Sequence, residues 1–335
     1  MSFKVGICGL GRSAQEFHIP LMGKSGKFQI VAICDTIPAR RREADRRYHA
    51  LAFSDYKHFL DNDNIDVVII ATPSSSHFKI ARMVLEAGKH CVVEKPIALT
   101  LKEVDKLIAL AKKKKVILTV FQSRRFDGDY ITIKKLLKHD LLGELFTIES
   151  RTTSFGSLKN YGVKEFNPAW RYKRAYGGGV LYDFGSHIID QILCLVERHP
   201  ISVWCDMKTV LWSKEVDDYF KLLIRFQGGL TAHLEVSQVS RYNLPRWYIL
   251  GTKGAMLCEN GGHPIKVRAA IKGEERERTY ELEPSCWERF YENLYDVLMH
   301  RAHPIVKLTE VRKTAAVIDV AFKSARNRRE EKIKF

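Results

Sequence analysis

The first 120 or so residues alternate between short apolar runs and longer stretches that mix charged and apolar positions. The apolar runs have the uniform hydrophobicity of parallel strands that are covered on both faces, and the mixed stretches have the spacing of surface helices. Strands are predicted over residues 4–8, 29–34, 66–71, 91–93 and 116–121. This alternation predicts an α/β fold with a doubly wound parallel sheet.

The pattern changes after residue 122. A helix is predicted over 130–139 and a strand over 145–152, and a long polar segment occupies 154–179. Six strand patterns then follow one another without intervening helices, at 203–210, 219–226, 230–236, 247–250, 255–258 and 266–269. Consecutive strands of this kind form antiparallel sheets. We therefore expect two domains, residues 1–122 and 123–335, with a last helix over about 309–328 that packs back on the first domain.

The first predicted strand runs directly into a dinucleotide-binding fingerprint, Gly-x-Gly-x-x-Ala, at residues 9–14. Gly9 would make the turn, and Gly11 would let the backbone approach a pyrophosphate at the helix N-terminus. Asp35 follows the second strand at the distance where an acid binds the adenosine ribose, which favours NAD. Residues 40–42 are arginines that could reach a 2′-phosphate, so NADP stays possible. The alternative for Asp35 is a turn residue without a ligand.

Two turns follow predicted strands at their carboxyl ends, which is where α/β sheets bind ligands. Residues 72–77, Thr-Pro-Ser-Ser-Ser-His, form one candidate cofactor loop. The other turn is Glu94-Lys95-Pro96, in which the proline stiffens the chain. We expect Lys95 to point into the ligand crevice and to bind a substrate hydroxyl. The alternative is a surface lysine in a loop.

Three glycines, residues 177–179, precede an apolar run with helical character. They predict a close approach of the backbone to another group, such as a ligand. Asp183 and His187 are four residues apart and would share one helix face, where a carboxylate can orient an imidazole that acts as a general base. The alternative is a capped helix with a histidine bonded to a neighbouring acid. Trp170 and Arg171 suit a sugar ring, or else are a packed tryptophan beside a surface arginine.

Composition narrows the class of protein. The formal net charge is +16, with basic clusters at residues 40–42, 46–47, 112–115 and 326–334. The clusters fall on separate helices without interleaved aromatic residues, which favours solvated helix faces over nucleic-acid binding. Seven cysteines without a Cys-x-x-Cys pair indicate reduced thiols in a cytoplasmic protein, not a disulfide framework or a metal site. We expect no signal peptide and no membrane helix, because no apolar run approaches about 18 residues.

Taken together and in order, these motifs resemble the glucose–fructose oxidoreductase / inositol dehydrogenase / MocA family. The resemblance covers the whole chain and includes His18-Ile19-Pro20-Leu21. It implies an N-terminal Rossmann domain and a C-terminal α/β domain on an open, mostly antiparallel sheet. It also implies reversible hydride transfer between NAD(P) and a secondary alcohol of a sugar, glycoside or cyclitol. A homodimer or homotetramer formed through the C-terminal sheet is expected as well.

The resemblance also implies roles for individual residues. Lys95 would orient the reacting hydroxyl, and Asp183 and His187 would form the acid–histidine pair with His187 as proton acceptor. The expected cofactor contacts are Gly9, Gly11, Arg12, Ser13, Asp35, Thr72, Pro73, His77, Glu94, Lys95 and Gln122. The expected substrate contacts are Arg124, Trp170, Arg171, Asp183 and His187. Residues 122–129 resemble the scyllo-inositol dehydrogenase branch, although Ser123 and Phe126 stand where that branch often has Asn and Trp.

Two other functions remain open. One is a catalytically silent NAD(P)-binding regulator or sensor on the same fold, against which the presence of Lys95, Asp183 and His187 together argues. The other is a nucleic-acid binder, suggested only by the charge. Retention on DNA at physiological salt would separate it, because phosphate contacts weaken steeply as the salt concentration rises.

Overall fold

The computed structural model of the chain describes residues 2–158, 166–167, 169–271 and 274–334. The contacts within the chain define two compact units. Unit 1 consists of Met1–Gln122, Leu158–Gly178 and Trp287–Ala315. Unit 2 consists of Ser123–Ser157, Gly179–Cys286 and Ala316–Phe335. The assignment of cofactor binding to residues 1–122 and of substrate binding to residues 123–335 stays a prediction.

Unit 1 is built on a six-stranded sheet in the order β3-β2-β1-β4-β5-β6, and every strand pair in it is parallel. The strands are β1 (Phe3–Cys8), β2 (Phe28–Cys34), β3 (Leu51–Phe53), β4 (Val67–Ile70), β5 (His90–Val93) and β6 (Leu118–Val120). Every residue of β4 is buried, as expected for a parallel strand that is covered on both faces. The predicted doubly wound sheet is confirmed.

The first five helices of the chain connect these strands. They are α1 (Ile19–Ser25), α2 (Pro38–Tyr48), α3 (Tyr56–Leu60), α4 (Ser74–Glu86) and α5 (Leu101–Lys114). A π-helical turn, Ala14–His18, leads into α1. Thr100 and Glu103 form the capping box that the sequence predicts at the start of α5. Gly88 follows the end of α4 with φ of +72°, the left-handed conformation expected of a residue beyond a helix end.

Unit 2 is built on a nine-stranded sheet in the order β14-β13-β12-β11-β7-β10-β9-β8-β15. Helix α6 (Gly128–Leu137) precedes strand β7 (Leu145–Thr153), and helix α7 (Ser186–Leu195) precedes the remaining strands. These are β8 (Pro200–Lys208), β9 (Tyr219–Phe226), β10 (Thr231–Ser237), β11 (Trp247–Gly251), β12 (Gly254–Cys258), β13 (Ile265–Ile271) and β14 (Glu274–Tyr280). Among the described strand pairs of this nine-stranded sheet, only β7–β10 is parallel, so the predicted, mostly antiparallel sheet is confirmed.

The chain closes with α8 (Arg289–Leu298), α9 (Leu308–Asn327) and the short strand β15 (Glu331–Lys332). Helix α8 and the first part of α9 belong to unit 1, where Arg312 Nε of α9 donates to Asp105 Oδ1 of α5 at 2.6 Å. In the part of the chain that the structure describes, no helix has both the length and the hydrophobicity that crossing a membrane requires.

The sequence-based expectation missed several elements, and each omission has a physical cause. Strand β3 and helix α3 are three and five residues long, too short to show a period. Strand β14 has the sequence Glu-Glu-Arg-Glu-Arg-Thr-Tyr and is exposed along most of its length, so it lacks the apolar alternation of a covered strand. Residues 74–77 are the first turn of α4 and not part of a loop, which corrects the predicted turn 72–77.

Candidate functional site

The two fingerprint glycines have different surroundings. Gly9 has φ of +89°, and a Cβ atom there would lie 2.8 Å from the carbonyl oxygen of Ala71, so the fold of unit 1 itself requires glycine. A Cβ atom on Gly11 would meet nothing within 4 Å. The packing of the protein therefore does not require glycine at residue 11, and the position leaves room for a pyrophosphate.

Asp35 follows β2 and lies beside the fingerprint. Its Oδ2 accepts from the backbone N–H of Leu10, and its Oδ1 accepts from that of Ile37, both at 2.8 Å. The carboxylate thus shapes the turn, and each oxygen still has a lone pair for a ribose hydroxyl. Turn formation and ribose binding are compatible roles for this residue.

The arginines after Asp35 are largely bonded within the protein. Arg40 Nη1 donates to Glu43 Oε2 at 2.7 Å, and Arg41 Nη1 donates to the carbonyl oxygen of Asp35 at 2.8 Å. Arg42 is exposed. The guanidinium of Arg12, another expected cofactor contact, donates to Glu16 at 2.6 Å.

Glu94, at the carboxyl end of β5, is a shared acceptor. Its Oε1 accepts from Ser13 Oγ and is 3.1 Å from His18 Nε2, and its Oε2 accepts from the backbone N–H of Lys95 at 3.1 Å. Burial by itself would raise the pKa of this carboxyl. The hydrogen bond and charge of His18, the charge of Lys95 and the hydroxyl of Ser13 outweigh it and lower the pKa to about 2.

His18 extends this arrangement to a residue that the sequence did not suggest. Its imidazole is fully buried, and its Nδ1 lies 2.5 Å from Tyr291 Oη of α8. Burial raises the pKa of the Tyr291 hydroxyl well above its usual range. Tyr291 is 273 residues from His18 in the chain, and no local pattern connects them.

His77 joins the two candidate turns of unit 1. Its Nε2 lies 2.8 Å from the carbonyl oxygen of Thr72, and its Nδ1 lies 2.7 Å from that of Pro96. Burial lowers the pKa of the imidazole, which favours the neutral ring. The ring thus braces the turn after β4 against the turn after β5, and contact of His77 and Pro73 with the cofactor stays a prediction.

Gln122 ends β6 with its side chain buried. Its Oε1 atom has no hydrogen-bond partner among the described residues. A buried acceptor of this kind is costly unless a donor reaches it. Three features therefore suit a bound dinucleotide. The open space at Gly11 can hold a pyrophosphate, the Asp35 carboxylate can accept from a ribose hydroxyl, and Gln122 Oε1 can accept from a donor of the ligand.

Trp170 and Arg171 form a 3₁₀ turn, Trp170–Tyr172, in unit 1. Arg171 Cζ lies 4.4 Å from the centroid of the Trp170 ring, so the guanidinium covers one face of the indole. Both side chains are partly exposed. Within the predicted polar segment 154–179, residues 159–165 and 168 lie outside the described part of the chain.

The triple glycine is explained by the packing of the chain itself. A Cβ atom on Gly178 would lie 2.3 Å from the carbonyl oxygen of Arg171. Gly179 has φ of +106°, and a Cβ atom there would lie 2.2 Å from Asp217 Oδ1. Asp217 is buried, and its Oδ2 accepts from the backbone N–H of Leu181 at 2.7 Å. Burial raises the pKa of this carboxyl to about 7.

Asp183 and His187 lie on one helical stretch of unit 2. Asp183 is in a π-helical turn, Leu181–Gly185, and His187 is in the first turn of α7. The sequence predicted a regular helix, and the wider π turn is a feature that recurs at functional sites. His187 is 8% exposed, whereas Asp183 is partly exposed.

Arg124 also belongs to unit 2, in the 3₁₀ turn Ser123–Phe126. Its guanidinium is 37% exposed and lies 3.1 Å from Asp127 Oδ2. The expected site residues of unit 2 are thus Arg124, Asp183 and His187, and the others belong to unit 1. In the described ranges no group of three or more His, Cys, Asp or Glu side chains could hold a metal ion.

The carboxylate of Glu94 leads to a prediction about stability. A carboxyl whose pKa is lower in the folded state stabilises the fold above its unfolded pKa, and this contribution is lost as the pH falls through about 2. Glu94→Gln should therefore cost up to about 3 kcal/mol of unfolding free energy at pH 7. The difference from the wild type should shrink below about pH 4.5, as urea titrations at several pH values would measure.

Glu86→Gln is the matched control, because Glu86 is half-exposed and its Oε1 lies 3.7 Å from Nε of the equally exposed Arg82. It should change the unfolding free energy by less than about 1 kcal/mol. An equal loss for Glu94→Gln at pH 7 and pH 3 would show that the carboxylate charge is not the cause.

Comparison with known proteins agrees with this arrangement. The model of an oxidoreductase family with an NAD-binding Rossmann fold matches residues 3–122, and that of the GFO/IDH/MocA C-terminal domain matches residues 130–257. The uncharacterized oxidoreductase YdgJ of Escherichia coli (strain K12) is 28% identical over 349 residues, covering 98% of this chain and 97% of that protein. The scyllo-inositol 2-dehydrogenase (NADP(+)) IolW of Bacillus subtilis (strain 168) is 34% identical over 277 residues, covering 82% of this chain and 74% of IolW.

Among solved structures, an NAD-binding protein from Listeria innocua superposes with a TM-score of 0.89 at 29% identity, covering 99% of this chain and 97% of that one. The similarity thus extends over both sheets and is not confined to the fingerprint. The chain belongs to the GFO/IDH/MocA family of oxidoreductases and carries its NAD-binding Rossmann domain.

Proposed function

We propose that this protein transfers a hydride between NAD(P) and a secondary alcohol of a sugar, glycoside or cyclitol. The observation that carries the proposal is the helical stretch with Asp183 and His187, which begins at a glycine held against buried Asp217. A partly exposed acid and a buried imidazole on such a rigid stretch suit proton transfer. The similarity to IolW, a scyllo-inositol 2-dehydrogenase, supports a cyclitol-like substrate.

The cofactor would be held by residues 9–14, Asp35 and Gln122, and bound NAD⁺ supplies the acceptor for the hydride. Oxidation removes the hydrogen of the alcohol carbon as a hydride, which takes the electron pair of the C–H bond. The hydroxyl hydrogen leaves as a proton, and the electron pair of the O–H bond completes the new C=O bond. We assign that proton to the imidazole of His187. Asp183 orients the ring or the substrate, and Lys95 donates a hydrogen bond to the reacting oxygen.

The remaining substrate contacts of the proposal are Arg124, Trp170 and Arg171. The exposed part of the indole would lie on the apolar face of the ring, and the two guanidinium groups would donate to hydroxyls. Both arginines already have an internal partner, so the substrate would take further donors of the guanidinium, which has five N–H groups.

For the cofactor we propose NAD ahead of NADP. The Asp35 carboxylate would repel a 2′-phosphate, and the guanidinium groups of Arg40 and Arg41 are bonded to Glu43 and to the Asp35 carbonyl. IolW, by its name, uses NADP, and NADP therefore stays possible here.

Two wider properties belong to the proposal. All seven cysteines are free thiols, as in proteins of the reducing cytoplasm, where we place this one. We also propose a homodimer or homotetramer through the sheet of unit 2, where Trp204 of β8 is 40% exposed.

The alternative function is that of a catalytically silent NAD(P)-binding sensor. Such a protein would bind the cofactor but would not reduce it with any polyol.

The first prediction concerns cofactor binding alone. Gly11→Val should weaken NADH binding at least tenfold, about 1.4 kcal/mol, because a branched side chain would occupy the space of the pyrophosphate. The stability of the free protein should hardly change, since a Cβ atom at residue 11 meets nothing within 4 Å. Fluorescence titration measures the affinity. Gly23→Val, on α1 with equally open space, is the control, and unchanged affinity in Gly11→Val would remove the fingerprint from the proposal.

The second prediction concerns the ribose. Asp35→Ser should raise the affinity for NADPH relative to NADH at least tenfold, about 1.4 kcal/mol, because the variant lacks the charge that repels a 2′-phosphate. Asp45→Ser on α2 removes the same charge from an exposed position and should leave the ratio unchanged. A wild-type protein that already binds NADPH much more tightly than NADH would contradict the role of Asp35.

The third prediction concerns the chemical step. His187→Ala and Lys95→Ala should each lower the rate of hydride transfer at least about a hundredfold, with little change in NADH affinity. The double variant should be hardly slower than either single one, because the residues act as a unit. Stopped-flow reduction of NAD⁺ by the best polyol from a screen of cyclitols, sugars and glycosides measures this.

The rate in the wild type should rise with pH through an apparent pKa that belongs to the coupled group. Near wild-type transfer by His187→Ala from about pH 6 to 9 would refute the assignment and make Lys95 the candidate base. No reduction of NAD⁺ by any polyol, combined with tight NADH binding, would favour the sensor.

A further inference from the structure

The first turns of α7 carry two buried polar residues beyond His187. Asp190 is 1% exposed and Gln191 is fully buried, and they follow His187 by three and four positions. Residues at these spacings are neighbours of His187 on the helix surface. Their side chains are bonded to other elements of unit 2.

Asp190 is paired with Arg125 of the turn Ser123–Phe126. Arg125 Nε donates to Asp190 Oδ2 at 2.6 Å, and Arg125 Nη2 donates to Asp190 Oδ1 at 2.7 Å. Both side chains are at most 9% exposed. Two parallel bonds of this kind fix the angle between the groups as well as their distance.

Gln191 forms a second connection to the same turn. Its Nε2 donates to the carbonyl oxygen of Arg124 at 2.6 Å, and its Oε1 accepts from Arg246 Nη2 at 2.7 Å. Arg246 is itself buried and donates to Ser150 of β7. The side-chain oxygen and nitrogen of Gln191 are both bonded, and the helix is held to the turn at two successive residues.

A buried ion pair contributes little to stability compared with apolar residues of the same volume, so its presence calls for another reason. The other buried side chains of α7 include Ile188, Ile189 and Ile192, whose contacts are not directional. Such contacts allow a helix to rotate slightly about its axis. The bonds of Asp190 and Gln191 do not allow this rotation.

We infer that Arg125, Asp190 and Gln191 are positioning residues, which fix α7 and the turn Ser123–Phe126 in the arrangement that the reaction needs. The pair Arg125–Asp190 sets the direction of His187, and Gln191 sets the backbone that carries Arg124. The inference rests on the proposed function, in which His187 takes the proton and Arg124 binds the polyol. It assigns separate effects to the two connections, one on the rate and one on substrate binding.

The test of the first connection replaces the pair by apolar residues, Arg125→Met with Asp190→Leu, which leaves no buried charge without a partner. We expect a folded protein with wild-type NADH affinity and a first-turnover rate of hydride transfer at least tenfold lower. The ring C–H resonances of His187, identified by their loss in His187→Ala, should shift in the spectrum of the cofactor-free variant. An exposed pair of unit 2 is the control, and Arg225→Met with Glu330→Leu should change neither rate nor resonances.

The second connection is tested by Gln191→Glu. The new carboxylate still accepts from Arg246 but has no N–H for the Arg124 carbonyl, which it repels. We expect KM for the polyol to rise at least fivefold, with a smaller change in kcat, in a protein that stays folded at the assay temperature. If the variant Arg125→Met with Asp190→Leu fails to fold, Gln191→Glu alone still tests the positioning role.

A folded double variant with wild-type hydride-transfer rate and unshifted His187 resonances would overturn the inference, and so would an unchanged KM in Gln191→Glu. These results differ from failure of the proposed function. If His187→Ala transfers hydride at the wild-type rate, the proposed function fails whatever these variants do. If His187→Ala is inactive while these variants behave as the wild type, only the inference fails.

Discussion

The ligand end of unit 1 depends on one buried carboxylate, that of Glu94. A carboxylate that is only 13% exposed is stable as an ion because donors surround it. Those donors come from Ser13 and His18, at the start of the first helical segment, and from the backbone of Lys95. The segment that follows the fingerprint and the lysine proposed to hold substrate therefore share an acceptor. A change in the position of either one would leave a buried polar group without its partner, so the shared carboxylate fixes the segment after the fingerprint relative to the backbone of Lys95.

The sequence predicted those strands and helix ends whose signal lies in the local pattern of apolar and polar residues. Strand β4 appeared as a uniformly apolar run because it is covered on both faces. The predicted strand 219–226 coincides with β9 because its residues alternate strictly between buried and partly or fully exposed. The capping box at Thr100 and the fingerprint at Gly9 were also visible, since each depends on residues a few positions apart. Lys95, Asp183 and His187 were selected from their positions in the predicted elements, the family resemblance added a role for each, and these roles stay predictions.

Long-range partners could not be predicted from the sequence. Tyr291 contacts His18 only because α8 packs on α1 within unit 1, and a tyrosine in an amphipathic helix gives no sign of this. The adjacent acids Asp217 and Asp218 are a second example. Asp218 accepts from three successive backbone N–H groups at 2.7 Å, of which the first belongs to Val210, whereas burial raises the pKa of Asp217 to about 7. Two identical neighbours in the sequence thus have different surroundings, because their carboxylates accept hydrogen bonds from different segments of the chain.

Glycine shows most clearly what the structure adds to a motif. Sequence reasoning treated the fingerprint and the triple glycine alike, as places where the backbone approaches another group. At Gly178 and Gly179 that group is the chain itself, the carbonyl of Arg171 and the carboxylate of Asp217. At Gly11 the chain places nothing within 4 Å. A glycine that internal packing requires says little about ligands, whereas packing does not require Gly11, which lies where the fingerprint places a pyrophosphate. Gly11 is therefore the stronger evidence for a bound dinucleotide, and the triple glycine is evidence for the rigid start of the helix that carries Asp183 and His187.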